Sequence, residues 1–169
     1  MNFFPKKNKT KMSPFDMALR YLSYRPRTVW EMVQYIRTKG FSEDIIKKTI
    51  QDLLDKQFLN DRDFAKLFIE SKIKNKSKSK FAFQYELKKK GINPVIIKDI
   101  LMAYNDQDLA LKAVRPKIKI WKYLDDEKFK TKMMTFLNYR GFNYDISIST
   151  FNHFMGLIDT IKKEGNNGN

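Results

Sequence analysis

A short motif recurs three times in this chain of 169 residues at nearly constant spacing. In each copy a basic residue precedes a glycine and a large apolar residue follows it, as in Gly40-Phe41, Gly91-Ile92 and Gly141-Phe142. The three glycines are 51 and 50 residues apart. A fixed period of this size is typical of proteins built from stacked repeats, in which each repeat is one supersecondary unit. The chain is therefore predicted to be a short array of related units.

Signals for the starts and ends of helices occur around each glycine. Ser13 and Thr28 suit the N-cap position, because a hydroxyl oxygen accepts a hydrogen bond from a free N–H group at a helix start. Residues suited to the start of a helix recur along the chain, at Ser42, Asn60, Ser77 or Ser79, Asn93, Asn105, Asp125 and Asn143. Apolar residues follow at helical spacing, and each glycine suits the left-handed position after a helix end. The pattern predicts nine helices and hardly any strand.

The predicted fold is all-α, with three tandem three-helix repeats that form an elongated, curved molecule. Each repeat of about 45 to 50 residues is small for an independent core, so neighbouring repeats are expected to bury faces against each other. The predicted divisions are a flexible basic tail at 1–12, repeats at 13–59, 60–104 and 105–163, and a disordered tail at 164–169. Pro116 falls inside the seventh helix, so a kink or a split is expected near Arg115.

The charge balance is strongly basic, with a formal net charge of +15 and a pI of about 9.8. This predicts attraction to a polyanion, which could be nucleic acid, an acidic protein surface or an anionic membrane face. Lysine, asparagine and isoleucine are all abundant, as in an AT-rich genome, so composition alone can also raise the charge. The lysines are nevertheless clustered: residues 72–92 contain eight lysines and a single acid, Glu86.

The candidate contact residues lie in and around this cluster. They are Arg62, Lys66, Lys72, Lys74, Lys76, Lys78, Lys80, Lys88 and Lys89. One interpretation is contact with phosphates, each of which would add about one unit to the salt dependence of binding. The other is a solvated loop between helices together with a solvated helix face. Phe83 is predicted to be core, whereas Phe81 and Tyr85 could be core or could stack on bases.

The sequence offers little that indicates catalysis. Asp61 and Asp63 could be a catalytic or metal-binding pair, but they are interpreted as a helix cap and first-turn acids, as are Asp125, Asp126 and Glu127. The chain has no cysteine and one histidine, His153, which is interpreted as structural or exposed. No phosphate-binding glycine loop or serine elbow occurs. We therefore predict a protein that is not an enzyme and needs no cofactor or metal.

The sequence also bears on location. No apolar run approaches the ~18 residues of a membrane span, and no apolar stretch follows the N-terminal lysines as in a secretory signal. The lack of cysteine suits a reducing compartment. A cytoplasmic monomer that does not contact membranes is expected.

The motifs resemble those of the RecX family, the bacterial regulators of the RecA recombinase. In the first repeat the matching residues are Ala18-Leu19-x-x-Leu22, Thr28-x-x-Glu31-Met32 and Lys39-Gly40-Phe41. In the others they are Leu59-Asn60-Asp61-x-x-Phe64-Ala65, Glu86-Leu87-x-x-Lys90-Gly91-Ile92 and Tyr139-Arg140-Gly141-Phe142-x-Tyr144-Asp145. The resemblance covers about residues 14–150. Family members often have glycine and proline where this chain has Ser77-Lys78-Ser79-Lys80, and arginines where it has lysines, which lack bidentate phosphate geometry.

The resemblance implies a non-enzymatic modulator. Proteins similar to this one lie in the helical groove of the RecA filament on single-stranded DNA. They usually restrain its growth, ATP hydrolysis, strand exchange in recombination and DNA repair, and the coprotease step of the SOS response. The implied partners are the RecA filament and single-stranded or double-stranded DNA. Two other interpretations remain, namely a helical module that binds DNA or RNA directly and an adaptor that binds only protein.

Overall fold

The computed structural model describes residues 12–166, and side chains as far as Thr160. Within these residues the chain forms helices and no strand. The helices are α1 Pro14–Leu22, α2 Val29–Arg37, α3 Glu43–Asp55, α4 Asp61–Lys76, α5 Lys80–Lys89, α6 Pro94–Leu101, α7 Asp106–Trp121, α8 Asp126–Tyr139 and α9 Tyr144–Asn166. The predicted all-α fold of tandem three-helix repeats is confirmed.

The predicted tails lie mostly outside the described part of the chain. Of the basic tail predicted at 1–12, residues 1–11 are not among the described residues. Of the tail predicted at 164–169, the first three residues belong to α9, which continues to Asn166, and 167–169 are not described.

The helices begin at the capping residues that the sequence indicates. The Ser13 hydroxyl accepts a hydrogen bond of 3.0 Å from the Asp16 N–H. Thr28 and Glu31 form a reciprocal capping box at the start of α2, which satisfies two N–H groups that have no partner within the helix. Ser42 occupies the predicted N-cap of α3, but its side chain makes no capping hydrogen bond. Local sequence therefore determines where most of these helices start.

The repeated glycines end the second helix of each repeat. Gly40, Gly91 and Gly141 follow α2, α5 and α8 with φ angles of 81°, 75° and 83°. Residues with a side chain rarely adopt this left-handed backbone conformation, because their Cβ atom comes too close to the following carbonyl oxygen. The chain then turns back so that the next apolar residue covers the helix end, as when the Phe142 N–H donates to the Leu137 carbonyl at 3.1 Å.

Gly141 meets a second constraint that Gly40 does not. A Cβ atom at Gly141 would lie 2.7 Å from Ser79 Oγ and 3.2 Å from Ala82 Cβ. No atom lies within 4 Å of the corresponding position at Gly40. Because Ser79 Oγ is buried and caps α5 by accepting from the Ala82 N–H, it cannot move aside without losing that bond. The end of α8 therefore packs against the start of α5 with no room for a side chain.

The chain divides into two compact units, one ending at Phe64 and the other beginning at Ala65. The core of the first unit consists of small and aliphatic residues from α1 to α3 and the segment that follows: Ala18, Met32, Ile36, Ile46, Ile50, Leu53 and Leu59. The largest fully buried side chains of the second unit are Ile69, Phe83, Leu87, Ile97, Leu109, Phe129, Met133 and Leu137. Each unit therefore has an apolar core of its own.

One hydrogen bond recurs where one repeat is followed by the next. The Asp61 carboxylate accepts from the Val29 N–H at 2.8 Å, and the Asp106 carboxylate accepts from the Lys80 N–H at 2.7 Å. Each donor is the first residue of a second helix, and each aspartate is the first residue of the helix that opens the next repeat. The aspartate therefore satisfies an N–H group at the start of the preceding second helix. Its negative charge also interacts favourably with the positive end of that helix's dipole.

Pro116 does not interrupt α7. The helix continues from Asp106 to Trp121 with the proline in its interior, so the alternative of a split near Arg115 is wrong. Pro116 itself is exposed, which leaves its ring away from the core. Proline lacks an N–H group, so the Lys112 carbonyl has no helical donor at this turn.

Replacing the two glycines separates backbone strain from close packing. Gly40→Ala should lower the free energy of unfolding by about 1 kcal/mol, because alanine is strained in the left-handed region. Gly141→Ala should cost roughly 1–3 kcal/mol more, because its Cβ must also displace Ser79 or Ala82. Urea unfolding followed by circular dichroism measures both. Equal losses in the two variants would contradict the packing inferred at Gly141.

Candidate nucleic-acid interface

The lysine run from 72 to 80 is mostly helical. Lys72, Lys74 and Lys76 lie in the last turns of α4, and Lys80 is the first residue of α5, so only Ser77, Lys78 and Ser79 form the loop. The run is therefore a short loop with a helix end on each side, which agrees both with phosphate contact and with a solvated loop beside a solvated helix face. Residues 72–90, comprising the end of α4, this loop and the whole of α5, are called the lysine hairpin below.

The lysines at the end of α4 point to different sides of the helix. Lys72 and Lys76 are four residues apart and share a side of α4, whereas Lys74 is about 200° around the axis from Lys72. Lys74 and Lys76 are exposed, and Lys72 is half-buried. The alternation seen in the sequence therefore does not place all of these charges on one face.

Glu86 pairs with two of the candidate lysines. Its carboxylate accepts a hydrogen bond from the Lys78 ammonium group and lies 3.8 Å from the Lys72 nitrogen. The Lys72 nitrogen also lies 5.3 Å from the centre of the Phe68 ring. Because opposite charge at this distance reduces the attraction to a distant phosphate, Lys72 and Lys78 would attract an anion less strongly than unpaired lysines do.

Hydrogen bonds to the third repeat hold the loop of the lysine hairpin in place. The Ser77 hydroxyl donates to the Leu109 carbonyl at 2.9 Å. The Arg140 guanidinium donates to the Ser77 carbonyl at 2.9 Å, and the Arg140 carbonyl accepts from the Ser79 N–H at 3.1 Å. Ser79, rather than Ser77, caps α5. Ser77 and Ser79 are buried, so the backbone that carries Lys78 and Lys80 has a defined position.

Arg140 is itself partly buried at this junction. Its guanidinium carbon lies 4.3 Å from the centre of the Phe136 ring. Burial lowers the pKa of the Arg140 guanidinium from its usual value, but arginine stays charged in proteins because its unperturbed pKa is so high. Arg140 therefore serves as a permanent donor to the loop rather than as an exposed contact for a ligand.

The solvent face of α5 combines aromatic and basic side chains. Phe81 is 73% exposed and Tyr85 is 55% exposed, one helical turn apart. Lys88 and Lys89 are also exposed, and the Lys89 nitrogen lies 4.5 Å from the centre of the Tyr85 ring. Phe83 is fully buried, which confirms its predicted core position. The question left open for Phe81 and Tyr85 is therefore decided in favour of exposure, and both rings are available to stack on a base.

The remaining candidates lie away from the lysine hairpin. Arg62 and Lys66 are exposed in the first two turns of α4. Lys66 is roughly 15 Å along the helix axis from Lys76, at a rise of 1.5 Å per residue. The nine candidate residues therefore do not form a single cluster, and α5 with the end of α4 carries the densest group.

The carboxylates considered as a pair have separate structural partners. Asp61 bonds to the Val29 N–H, and burial raises the pKa of its carboxyl despite that bond. Asp63 accepts from the Asn60 side-chain amide at 2.7 Å, while the Asn60 oxygen caps α4 by accepting from the Asp63 N–H. Among the described residues, no group of histidine and acidic side chains is arranged to hold a metal. The interpretation of Asp61 and Asp63 as residues of a helix start agrees with these bonds.

Two further observations limit the kinds of site in the described part of the chain. His153 is exposed, and its ring centre lies 5.2 Å from that of Phe154. No helix among the described residues is long and apolar enough to cross a membrane.

A row of cations on α7 was not among the residues predicted from the sequence. Lys112, Arg115 and Lys119 of α7 are exposed, as is Lys122 at its C-cap. They are spaced by three, four and three residues, which places them on one side of a helix. A search for helical periodicity among basic residues, in addition to apolar ones, would have found them.

Models of one protein family match most of the described chain. The first, second and third three-helix domains of RecX match residues 15–53, 60–101 and 105–147. A protein of Finegoldia magna named Regulatory protein RecX is 38% identical over 138 residues, which are 79% of this chain and 67% of that protein. The protein of the same name from Chlorobium phaeobacteroides is 35% identical over 129 residues, which are 76% of this chain and 85% of that protein.

Solved structures show the same fold. The crystal structure of RecX from Lactobacillus salivarius matches with a TM-score of 0.71 and 25% identity, covering 83% of this chain and 93% of that chain. Some curated relatives are longer, and this chain spans only about half of their length, 54% in one and 51% in another.

Removing the charge of Glu86 should strengthen binding to nucleic acid. In Glu86→Gln the ammonium groups of Lys72 and Lys78 lose their anionic partner, so the salt dependence of binding should steepen by roughly one to two units. The free energy of unfolding should change by less than about 1 kcal/mol, as is usual for partly exposed ion pairs. Fluorescence anisotropy with a labelled oligonucleotide at several salt concentrations measures the slope.

Glu127→Gln is the matched control, since it removes one exposed carboxylate from α8. Both variants gain one unit of net charge, so a general effect of charge would change both slopes equally. That result would contradict a specific role for Glu86.

Proposed function

This chain belongs to the RecX family, and we propose that it regulates the RecA recombinase by binding in the helical groove of the RecA filament on single-stranded DNA. Bound there, it restrains filament growth, ATP hydrolysis, strand exchange and the coprotease step of the SOS response. The named relatives support the regulatory role. The partner and the inhibitory direction follow from the resemblance of the motifs.

The observation that carries the proposal is the charge of the lysine hairpin on a backbone of defined position. Eight lysines and one acid lie between residues 72 and 92. Hydrogen bonds from Ser77, Ser79 and Arg140 hold the loop at its centre. A filament wound around single-stranded DNA contains a line of phosphates, and a cationic surface of fixed shape gains more from such a line than a flexible one, because less entropy is lost on binding.

The regulator acts by binding and not by catalysis. The acidic side chains that could have served as a general base, Asp61 and Asp63, are used at helix starts. The relatives are named as regulatory proteins. No cofactor or metal is needed for a role that depends on charge and shape.

The proposal is tested by the ATP hydrolysis of RecA filaments on single-stranded DNA. The wild-type chain should lower the hydrolysis rate at or below molar equivalence to RecA. Lys74→Ala, Lys76→Ala and Lys88→Ala combined should weaken this effect about tenfold and reduce its salt dependence by roughly two units, because three exposed cations are lost.

A control variant removes the same charge from the first repeat. Lys47, Lys48 and Lys56 are exposed on α3 and at its C-terminal end, and their replacement by alanine should leave most of the inhibition intact. Absence of any effect of the wild-type chain on RecA at molar equivalence would refute the proposal.

A second candidate function is direct binding of DNA or RNA without RecA. The exposed rings of Phe81 and Tyr85 beside Lys88 and Lys89 favour it, because stacking on aromatic rings together with backbone charge is how many proteins hold single strands. In this case affinity for bare nucleic acid would be high and would fall steeply with salt.

Alanine replacement of both rings distinguishes the candidates. Phe81→Ala with Tyr85→Ala should weaken binding to bare single-stranded DNA by roughly 30-fold or more, since two stacked bases at about 1–3 kcal/mol each contribute about 2 kcal/mol or more. Binding to duplex DNA, whose bases are already stacked, should change little. The control is Tyr24→Ala with Tyr139→Ala, two exposed rings outside the lysine hairpin. Unchanged single-strand affinity in the Phe81 and Tyr85 variant would rule out stacking on α5.

A further inference from the structure

One exposed face of α7 carries cations at regular helical spacing. Lys112, Arg115 and Lys119 of α7 and Lys122 at its C-cap are all exposed and, at steps of three, four and three residues, lie on one side of the helix. They are called the α7 basic row below. It extends over about 15 Å along the helix axis, at 1.5 Å per residue.

The opposite side of α7 belongs to the core. Its buried residues are Leu109, Ala110, Ala113, Val114 and Trp121. The stretch from 109 to 124 contains five basic residues and no acid; four of them form the row, and the fifth, exposed Lys117, lies about 200° around the axis from Arg115. The orientation of the helix is therefore set by its apolar side, and the α7 basic row is held outward by a packed backbone rather than by a mobile loop.

A solvated helix face usually carries both acidic and basic side chains. The neighbouring α8 does so, with Asp126 and Glu127 near its lysines and with Asp125, its N-cap residue, accepting from Lys128 at 2.8 Å. In the α7 basic row, Arg115 and Lys119 are four residues apart, and Lys119 and Lys122 are three apart. Like charges at these spacings destabilise a helix by a few tenths of a kcal/mol per pair. Lys119 and Lys122, at the C-terminal end of α7, are favoured by the helix dipole, so the cost of repulsion falls mainly on Lys112 and Arg115, which an anionic partner would compensate.

A ligand for this row must carry repeated negative charge. The Cβ atoms of Lys112, Arg115 and Lys119 repeat at about 5–6 Å, as do neighbouring residues on one side of any helix. The sugar–phosphate backbone of DNA offers charges that repeat along a line. Between Lys112 and Lys119 the chain contains no aromatic residue that could stack on a base, in contrast to the face of α5. At the end of the row, the ring of Tyr123 is 80% exposed, and its centre lies 5.0 Å from the Lys122 nitrogen. From Lys112 to Lys119 the row therefore offers charge for phosphate groups and no ring for bases.

We infer that the α7 basic row binds the phosphate backbone of DNA, as a second contact surface in addition to the lysine hairpin. The inference deepens the proposed function, because it makes the DNA of the filament a direct partner of the third repeat. Since phosphates alone are recognised, the row should bind single strands and duplexes alike.

The test compares two variants that each lose three cations. One combines Lys112→Ala, Arg115→Ala and Lys119→Ala, and the other is the control already described at Lys47, Lys48 and Lys56. Binding to bare single-stranded and duplex oligonucleotides is measured over a range of salt concentrations. The first variant should reduce the slope by roughly two units on single strands and by somewhat more on duplexes, at about 0.7 and 0.9 per phosphate contact. The control should change both slopes much less.

Folding of the variants is checked by circular dichroism and by a second variant with glutamine at the same three positions. Alanine and glutamine are both good helix formers, so both variants should remain folded and should give the same slopes. Unchanged slopes on both DNA forms would overturn the inference. So would a loss of RecA inhibition with unchanged DNA slopes, because the row would then contact an acidic protein surface.

These outcomes are separable from failure of the proposed function. If the wild-type chain has no effect on RecA but its DNA binding depends on the α7 basic row, the proposed function fails and the inference stands. If the wild-type chain inhibits RecA and the row variant keeps full DNA slopes, the proposed function stands and the inference fails.

Discussion

The hydrogen bonds that join the segment Ser77–Lys80 to the third repeat determine where the basic charge of the second repeat lies. Ser77 donates to a carbonyl of α7, Arg140 donates back to Ser77, and Asp106 accepts from the N–H of Lys80. The close approach of the two repeats also requires that residue 141 has no side chain. Because these groups are buried or half-buried, leaving one of them without its partner would cost about 1–3 kcal/mol, the most for Ser77. The backbone between α4 and α5 is therefore as well determined as the helices themselves, although it lies in a loop.

Acidic side chains are used mainly at helix starts in this molecule. The chain has 19 acidic and 34 basic residues. Many of the acids lie in the first turns of helices, and several of them accept hydrogen bonds from backbone N–H groups. Asp61 and Asp106 each satisfy an amide of the preceding repeat, and Asp16 and Glu31 take part in caps. Acids placed in this way do little to neutralise the outer faces of the helices. The basic character of α5 and α7 follows, and with it a surface suited to a polyanion.

Much of the architecture could be predicted because its signals are local. Capping residues, helical spacing of apolar side chains and the left-handed glycines each act over a few residues, so they predict the helices and their order. The prediction was wrong for a split at Pro116, because packing of the apolar side of α7 maintains the helix through a residue that alone disfavours it. The choice between Ser77 and Ser79 as the cap of α5 also could not be made, since it depends on Leu109 and Arg140, which are distant in sequence.

For the candidate interface, the sequence by itself determined that lysines are concentrated around α5, that the chain consists of three related helical repeats and that it belongs to the RecX family. Only the tertiary structure decided which side chains are available for binding. It placed Phe81 and Tyr85 in solvent and Phe83 in the core, paired Lys72 and Lys78 with Glu86, and left Lys112, Arg115 and Lys119 exposed on one face of α7. The reason is physical: helix formation depends on neighbours in the chain, whereas exposure and ion pairing depend on which surfaces meet when the helices pack.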